Sequence, residues 1–175
     1  MQCLCTVVLL ASQLATASIH QRDSAPLHAR GSFQYVYGML FKLYDSTLYT
    51  DAPKQVTPTQ LLSGQHALRL EFTYLRTIKK SIILESADKM LQRNLSPMEF
   101  ASITDRVQAL NAAYTTVHKG DHSSLSYHKG HGTTLEINGQ EIITIAGDDF
   151  GPHYFRIWLG DRPISTAMRD NLLRL

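Results

Sequence analysis

The last third of the chain, from Lys119 to Leu173, carries a run of turn signals that leaves few folds open to it. Three short β-favouring runs, Ser124 to Tyr127, Thr133 to Ile137 and Glu141 to Ile145, are separated by Lys129-Gly130 and by Asn138-Gly139. Asn-Gly suits a type I′ turn, which needs positive φ at both central residues and whose twist matches that of the strands it joins. The spacing therefore predicts a β-meander. The aromatic-rich run Tyr154 to Leu159 reads as a further strand, closed by Gly160-Asp161-Arg162-Pro163. The periodic tail Ile164, Ala167, Met168, Leu172 and Leu173 reads as a helix.

Upstream, Phe33 to Tyr49 is rich in Tyr, Phe, Val and Leu and reads as one or two strands bent near Gly38. Pro53, Pro58 and Gly64 mark Asp51 to Gly64 as a loop, and Ala67 to Leu75 alternates as a strand. The middle is helical. A first helix is expected over Lys79 to Arg93, from Ile78, Ile82, Leu84, Met90 and Leu91. Ser96-Pro97-Met98-Glu99 opens a second one with a serine N-cap, proline at N1 and glutamate at N3, the capping-box arrangement. Phe100, Ile103, Val107, Leu110, Tyr114 and Val117 then form one apolar stripe, with Gly120 as the expected terminator. Strands, paired helices, more strands and a last helix predict an α+β domain, an antiparallel sheet with helices packed on one face.

At 175 residues and 43% hydrophobic, the chain has apolar residues enough for one compact core. A net charge of +2, with no basic run longer than Lys79-Lys80, argues against a nucleic-acid surface, which needs phosphate-neutralising charge. The start of the chain reads as an export signal. Cys3 to Ala11 is apolar but too short to span a bilayer, and Ala15-Thr16-Ala17 before Ser18 is the small-residue pattern a signal peptidase accepts. No Lys or Arg precedes Arg22, so the signal is atypical or its start lies upstream. Residues 1–17 are thus expected to be removed, 18–30 to form a flexible lead-in, and 31–175 to form the domain. The mature protein would be periplasmic or secreted, without transmembrane segment, and both cysteines, Cys3 and Cys5, would leave with the signal.

The C-terminal block resembles the bacterial chalcone isomerase-like family. The resemblance rests on Gly120-Asp121, Tyr127, Gly130, Gly132, Asn138-Gly139, Asp149-Phe150, Ile157-Trp158-Leu159-Gly160, Pro163 and Leu172-Leu173. Phe41-Lys42-Leu43-Tyr44-Asp45-Ser46-Thr47-Leu48-Tyr49 and Leu68 to Leu75 resemble its early strands. The resemblance implies a cleft between sheet and helices. In the isomerases, an arginine, a strand hydroxyl and a helix tyrosine-asparagine pair guide an intramolecular cyclisation. Here the matching places Tyr44 at the strand threonine, Ser32 at or near the arginine with Arg30 two residues away, Phe100 at the tyrosine and Val107 at the asparagine. The cyclisation machinery is therefore expected to be absent.

If the cleft persists, Tyr44, Phe100, Ile103 and Val107 would line an apolar slot with one phenol, suited to a small hydrophobic ligand; the other form of the binding reading is a protein partner. The bland alternative is that the same stripe is plain core. The resemblance also brings fatty-acid binding, known in plant relatives, and a link to heme, known in fungal ones; no cofactor is expected from the residues themselves. A second class of function is an enzyme with a reorganised cleft, acting on a phenolic or unsaturated substrate through Tyr44 and a nearby arginine. A third lead is His118, His122, His128 and His131, which with Asp121 would make a surface zinc or copper site or, more blandly, mark solvent-facing turns. No Gly-x-Ser-x-Gly elbow or glycine-rich phosphate loop occurs. Arg156 and Arg162 are weighed as partners for a ligand carboxylate against the alternative of solvated surface arginines.

Overall fold

The computed structural model describes residues 26–38 and 40–174. The expected signal segment, residues 1–17, and most of the lead-in lie outside the described residues. Six strands form one antiparallel meander in chain order: β1 His28–Tyr37, β2 Phe41–Thr50, β3 Leu68–Tyr74, β4 His122–His128, β5 Gly132–Ile137 and β6 Gln140–Ile145. A short helix α1, Pro58–Leu61, lies between β2 and β3. The helical hairpin α2, Lys80–Asn94, and α3, Pro97–Ala113, is inserted between β3 and β4. After the sheet come α4, Phe150–Tyr154, α5, Arg156–Leu159, and α6, Thr166–Leu173. The protein is α+β, with its helices against the apolar face of the sheet.

Alternation in the sequence fixes that face. Leu68, Leu70, Phe72 and Tyr74 of β3 are buried, while the intervening residues turn to the opposite side. There a polar ladder runs across strands: Arg69 pairs with Glu71 at 2.7 Å and Glu136 at 2.8 Å, and the Ser124 hydroxyl donates to Glu136 at 2.7 Å. The expected I′ hairpin is present, with Asn138 at φ 51° and Gly139 at φ 78° joining β5 to β6. The capping box at Ser96 and Glu99 is formed in both directions, and the first turn of α3 so loses its free amides.

Four expectations are corrected. The run Tyr154 to Leu159 is helical, falling in α4 and α5. A buried apolar run looks the same in either state, and the distinguishing sign was spacing: Phe150, Tyr154 and Trp158 recur every four residues, so their rings follow one another along one face, centroids 5.4 and 6.0 Å apart. Asp51 to Gly64 is not all loop, since Thr57-Pro58-Thr59-Gln60 builds the capping box of α1. Helix α3 stops at Ala113 rather than near Gly120, and Val117 instead bridges to Ile78. Lastly, the fold takes in part of the expected lead-in: β1 begins at His28, and Arg30 is 6% exposed.

Arg30 is held by carbonyl groups from two distant segments. Its guanidinium donates to Leu173 O at 3.3 Å and to Pro53, Lys54 and Val56 O at 3.4, 3.2 and 2.9 Å. One side chain thus ties the end of α6 and the loop before α1 to the edge strand; burial lowers its pKa from the ordinary arginine value. Beside it, Gly31 lets α6 come against the backbone of β1. A Cβ there would sit against the carbonyls of Asn171 and Leu172. Gly31→Ala is expected to cost about 1–3 kcal/mol in urea unfolding, as overpacking of a backbone contact does.

Two carboxylates tie the helices together. Amide hydrogen bonding at Ser96, with the Arg156 guanidinium and His153 nearby, holds the Glu99 carboxyl down at about 2. The Arg106 guanidinium, bidentate at 2.7 and 2.6 Å, does the same for Asp149. A depressed carboxylate stabilises the fold fully above its unfolded pKa and loses that contribution as pH falls through its folded one. Stability should therefore decline from about pH 4.5 toward pH 2. Glu99→Gln should flatten that slope in acid-titrated thermal melts.

Candidate apolar cavity

A cavity of about 600 Å³ lies between the N-terminal half of the sheet and α2. Strands β1, β2 and β3 supply Tyr35, Tyr37, Leu43, Tyr44, Phe72 and Tyr74. Helix α2 supplies Ile82, Ile83, Ser86, Ala87 and Met90, with Ile78 ahead of it. Tyr154, Ile157, Trp158 and Ile164 close the C-terminal side, and Tyr114 at the end of α3 completes the wall. Register explains the tyrosines. Tyr35 is opposite Tyr44, and Tyr44 opposite Tyr74, so three phenols stand in a row across three strands and on one face. Tyr35 stacks on Tyr44 at 5.1 Å, while Phe72 meets Tyr44 edge-on at 5.3 Å and tilts against Trp158 at 5.6 Å.

The inner hydroxyls are already engaged by the protein. Tyr74 shares a hydrogen bond of 2.8 Å with Ser123, the Tyr44 hydroxyl points at Met168 Sδ at 3.9 Å, and the Tyr114 and Tyr154 phenols are buried beside one another. Burial raises the pKa of Tyr44, Tyr74, Tyr114 and Tyr154 above the ordinary tyrosine value, because desolvation penalises phenolate. The charged lining residues are Glu85 and Lys89, one helical turn apart on the exposed side of α2. The inside is therefore apolar and aromatic, with neutral phenols, and charge is confined to the rim.

Of the four residues expected to line a slot, the cavity takes Tyr44 alone. Ile103 and Val107 are 0% and 4% exposed on α3 and belong to the core, while Phe100 is half-buried and packs against that core. None of the three is among the lining side chains. The helix that faces the opening is α2. Its signal was legible in Ile78, Ile82, Ile83, Ala87 and Met90, whose near-helical spacing puts them on one face, but the resemblance that matched Phe100 and Val107 to the isomerase helix pair pointed to α3.

The arginines weighed for a site lie elsewhere. Arg30 is spent on main-chain carbonyls, Arg156 donates to Glu99 at 3.3 Å, and Arg162 takes its backbone contacts from Asn94. The four histidines are split by β4. His118 and His122 lie before or at its start, and His128 and His131 at or after its end, about 20 Å away at the usual rise of a strand. His122 is hydrogen-bonded to Thr73 at 3.0 Å. Among the described residues no group of three or more His, Cys, Asp or Glu side chains is placed to hold a metal ion.

Heme does not fit this donor set. Protein hemes are held by histidine, cysteine thiolate, methionine with histidine, or tyrosine. Among the described residues the lining has no histidine or cysteine, and its buried phenols are pushed away from phenolate.

The chalcone isomerase-like family model matches residues 27–174. The chain belongs to that family. A search of curated proteins finds no match. Among solved structures, a fatty-acid binding protein of Arabidopsis thaliana is similar over 84% of this chain and 86% of its own, with a TM-score of 0.66 at 11% identity. At that identity the likeness establishes the shared fold.

The division between core and cavity residues is testable by a pair of changes. Ile103→Ala should cost about 2–5 kcal/mol in chemical unfolding, as other large-to-small core changes do. It should leave the affinity for a cavity probe nearly unchanged. Ala87→Phe, which puts a ring into the opening, should lower probe affinity at least tenfold, at a cost of about 1–3 kcal/mol because Ala87 is itself buried. Displacement of an environment-sensitive apolar dye measures the affinity.

Proposed function

We propose that this protein binds an elongated apolar carboxylic acid, a fatty acid or a molecule like it, and does not catalyse chalcone cyclisation. The observation that carries this reading is a 600 Å³ aromatic and aliphatic interior whose charged groups, Lys89 and Glu85, stand only at its rim. An apolar tail gains by leaving water for such a wall, whereas a carboxylate would stay at the edge near Lys89 and solvent. The size lies within the usual range for small-molecule sites. That the Arabidopsis protein of the same fold is a fatty-acid binding protein supports this reading.

The enzymatic alternative asks for an arginine beside Tyr44. Among the described residues no arginine lines the cavity, and the phenol of Tyr44 is buried and pointed at a thioether. A buried neutral phenol can donate a hydrogen bond but is a poor general base near neutral pH. The residues at the family's helix positions, Phe100 and Val107, bear no hydroxyl or amide and lie outside the cavity lining.

We also propose that the chain is exported and processed near Ser18, as the Ala15-Thr16-Ala17 pattern suggests, so that binding takes place in the periplasm or outside the cell. N-terminal sequencing of the protein recovered from its producing cells checks this. An intact N-terminus on cytoplasmic protein would overturn it.

The single tryptophan gives a direct measurement, because Trp158 is part of the wall. Titration with a long-chain fatty acid should change its emission saturably, with displacement by other apolar acids and not by short hydrophilic ones. Ala87→Phe should weaken the response. Chalcone added to the protein should cyclise at its uncatalysed rate. A saturable Trp158 response to no apolar acid would sink the binding reading, and isomerase turnover would sink the non-catalytic one.

A further inference from the structure

The β1–β2 hairpin and the start of α2 leave an apolar surface open at the mouth of the cavity. Leu40 is 79% exposed, Tyr37 65%, Ile82 52% and Phe41 46%. Tyr37 and Ile82 also line the cavity, so this surface is continuous with its entrance. Large side chains exposed together in this way mark a contact surface more often than do single exposed residues.

Basic residues outnumber acidic ones around this patch, where Asp45 in β2 and Glu85 at the cavity rim are the exposed carboxylates. The described residues of the hairpin tip and of the approach to α2 include Lys42, Arg76, Lys79 and Lys80, against Asp45 and Glu85 just beyond them. The whole chain carries only +2, so this end is basic well beyond its share. Arg76 lies over the Phe41 ring at 4.9 Å, which binds the basic and apolar parts of the surface together. Lys80 is partly committed, its amine donating to Ala112 O at 3.0 Å. Lys42 is exposed and Lys79 lies at the exposed start of α2.

We propose that this end of the protein docks on an anionic lipid bilayer, the apolar tip entering the interface while Lys42, Arg76 and Lys79 meet the headgroups, so that the cavity mouth opens onto the membrane. Charge complementarity chooses this occupant: an aromatic and aliphatic tip ringed by lysine and arginine matches a surface that is apolar within and negative outside. A tyrosine such as Tyr37 suits the boundary, with an apolar ring and a wet hydroxyl. The proposal rests on the reading of the cavity as a site for an apolar acid only for the cargo, which would then pass between bilayer and cavity without crossing open water.

Flotation of the full mature protein with phosphatidylcholine vesicles, with and without phosphatidylglycerol, tests the docking. Binding is expected to the anionic vesicles, to weaken with added salt, and to be much weaker on neutral ones. Leu40→Glu with Phe41→Glu should abolish it, and Lys42→Glu with Lys79→Glu should weaken it about tenfold or more. Leu40→Glu alone, at the most exposed of these positions, keeps the test free of folding losses and should already reduce binding. Flotation equal on neutral and anionic vesicles, or absent from both, would overturn the proposal. Loss of a dimer on Leu40→Glu in size-exclusion chromatography, without vesicle binding by the native protein, would assign the patch to a second copy instead and overturn it too. Docking needs no acid in the cavity, whereas the Trp158 titration needs no vesicle, so the two readings fail separately.

Discussion

The row of tyrosines across β1, β2 and β3 is the constraint around which the rest of this structure is arranged. Antiparallel register sets Tyr35, Tyr44 and Tyr74 opposite one another, and the pleat sends all three to the face that the helices cover. Where these rings stand, the cavity separates the strands from α2. Farther along the same sheet, Leu68, Leu70, Leu125 and Leu135 are almost wholly buried and the layers close. One end of the domain is thus filled core and the other an opening, and the two differ in which side chains stand on the strands.

The opening is kept rigid from both sides. The helical segment carrying Phe150, Tyr154 and Trp158 presents a column of rings, and its last ring meets Phe72 of the sheet. At the far edge, Arg30 and Gly31 fix α6 and the loop before α1 to the edge strand. Glu99 closes the arrangement at the other end: its carboxylate caps α3 and reaches Arg156 at the start of α5. These contacts bear on fold rather than chemistry, and they brace the wall of the opening. A pre-formed site loses less on binding than one that must order itself first.

Most of the fold was legible in the sequence because its signals were local. The Asn138-Gly139 turn, the Ser96 cap and the alternation of β3 each rest on residues within a few positions of one another. What was not legible depended on partners far away. Arg30 looks like part of a polar lead-in until the carbonyls of Leu173 and Val56 are brought to it from distant parts of the chain. The strand reading of Tyr154 to Leu159 failed because burial on nearly all sides erases the polar half of the pattern. For the site, Tyr44 was visible and its neighbours were not. The stripe of Phe100, Ile103 and Val107 is apolar in the same way as that of α2, and whether a stripe lines a space or fills one is set by what stands opposite.

The same geometry bears on why a fold shared with isomerases would serve here for binding. Catalysis asks for groups whose protonation can change at working pH and which meet the substrate at fixed atoms. The inner wall of this cavity offers phenols, and the protein has buried these beside one another, beside Ser123 or beside a thioether. Desolvation raises their pKa further, so the interior holds its polar atoms neutral and occupied. Such a wall has little to give to a developing charge. A wall of this kind suits the exclusion of water from an apolar chain, which is what retention of a greasy ligand requires and what stabilisation of a transition state does not.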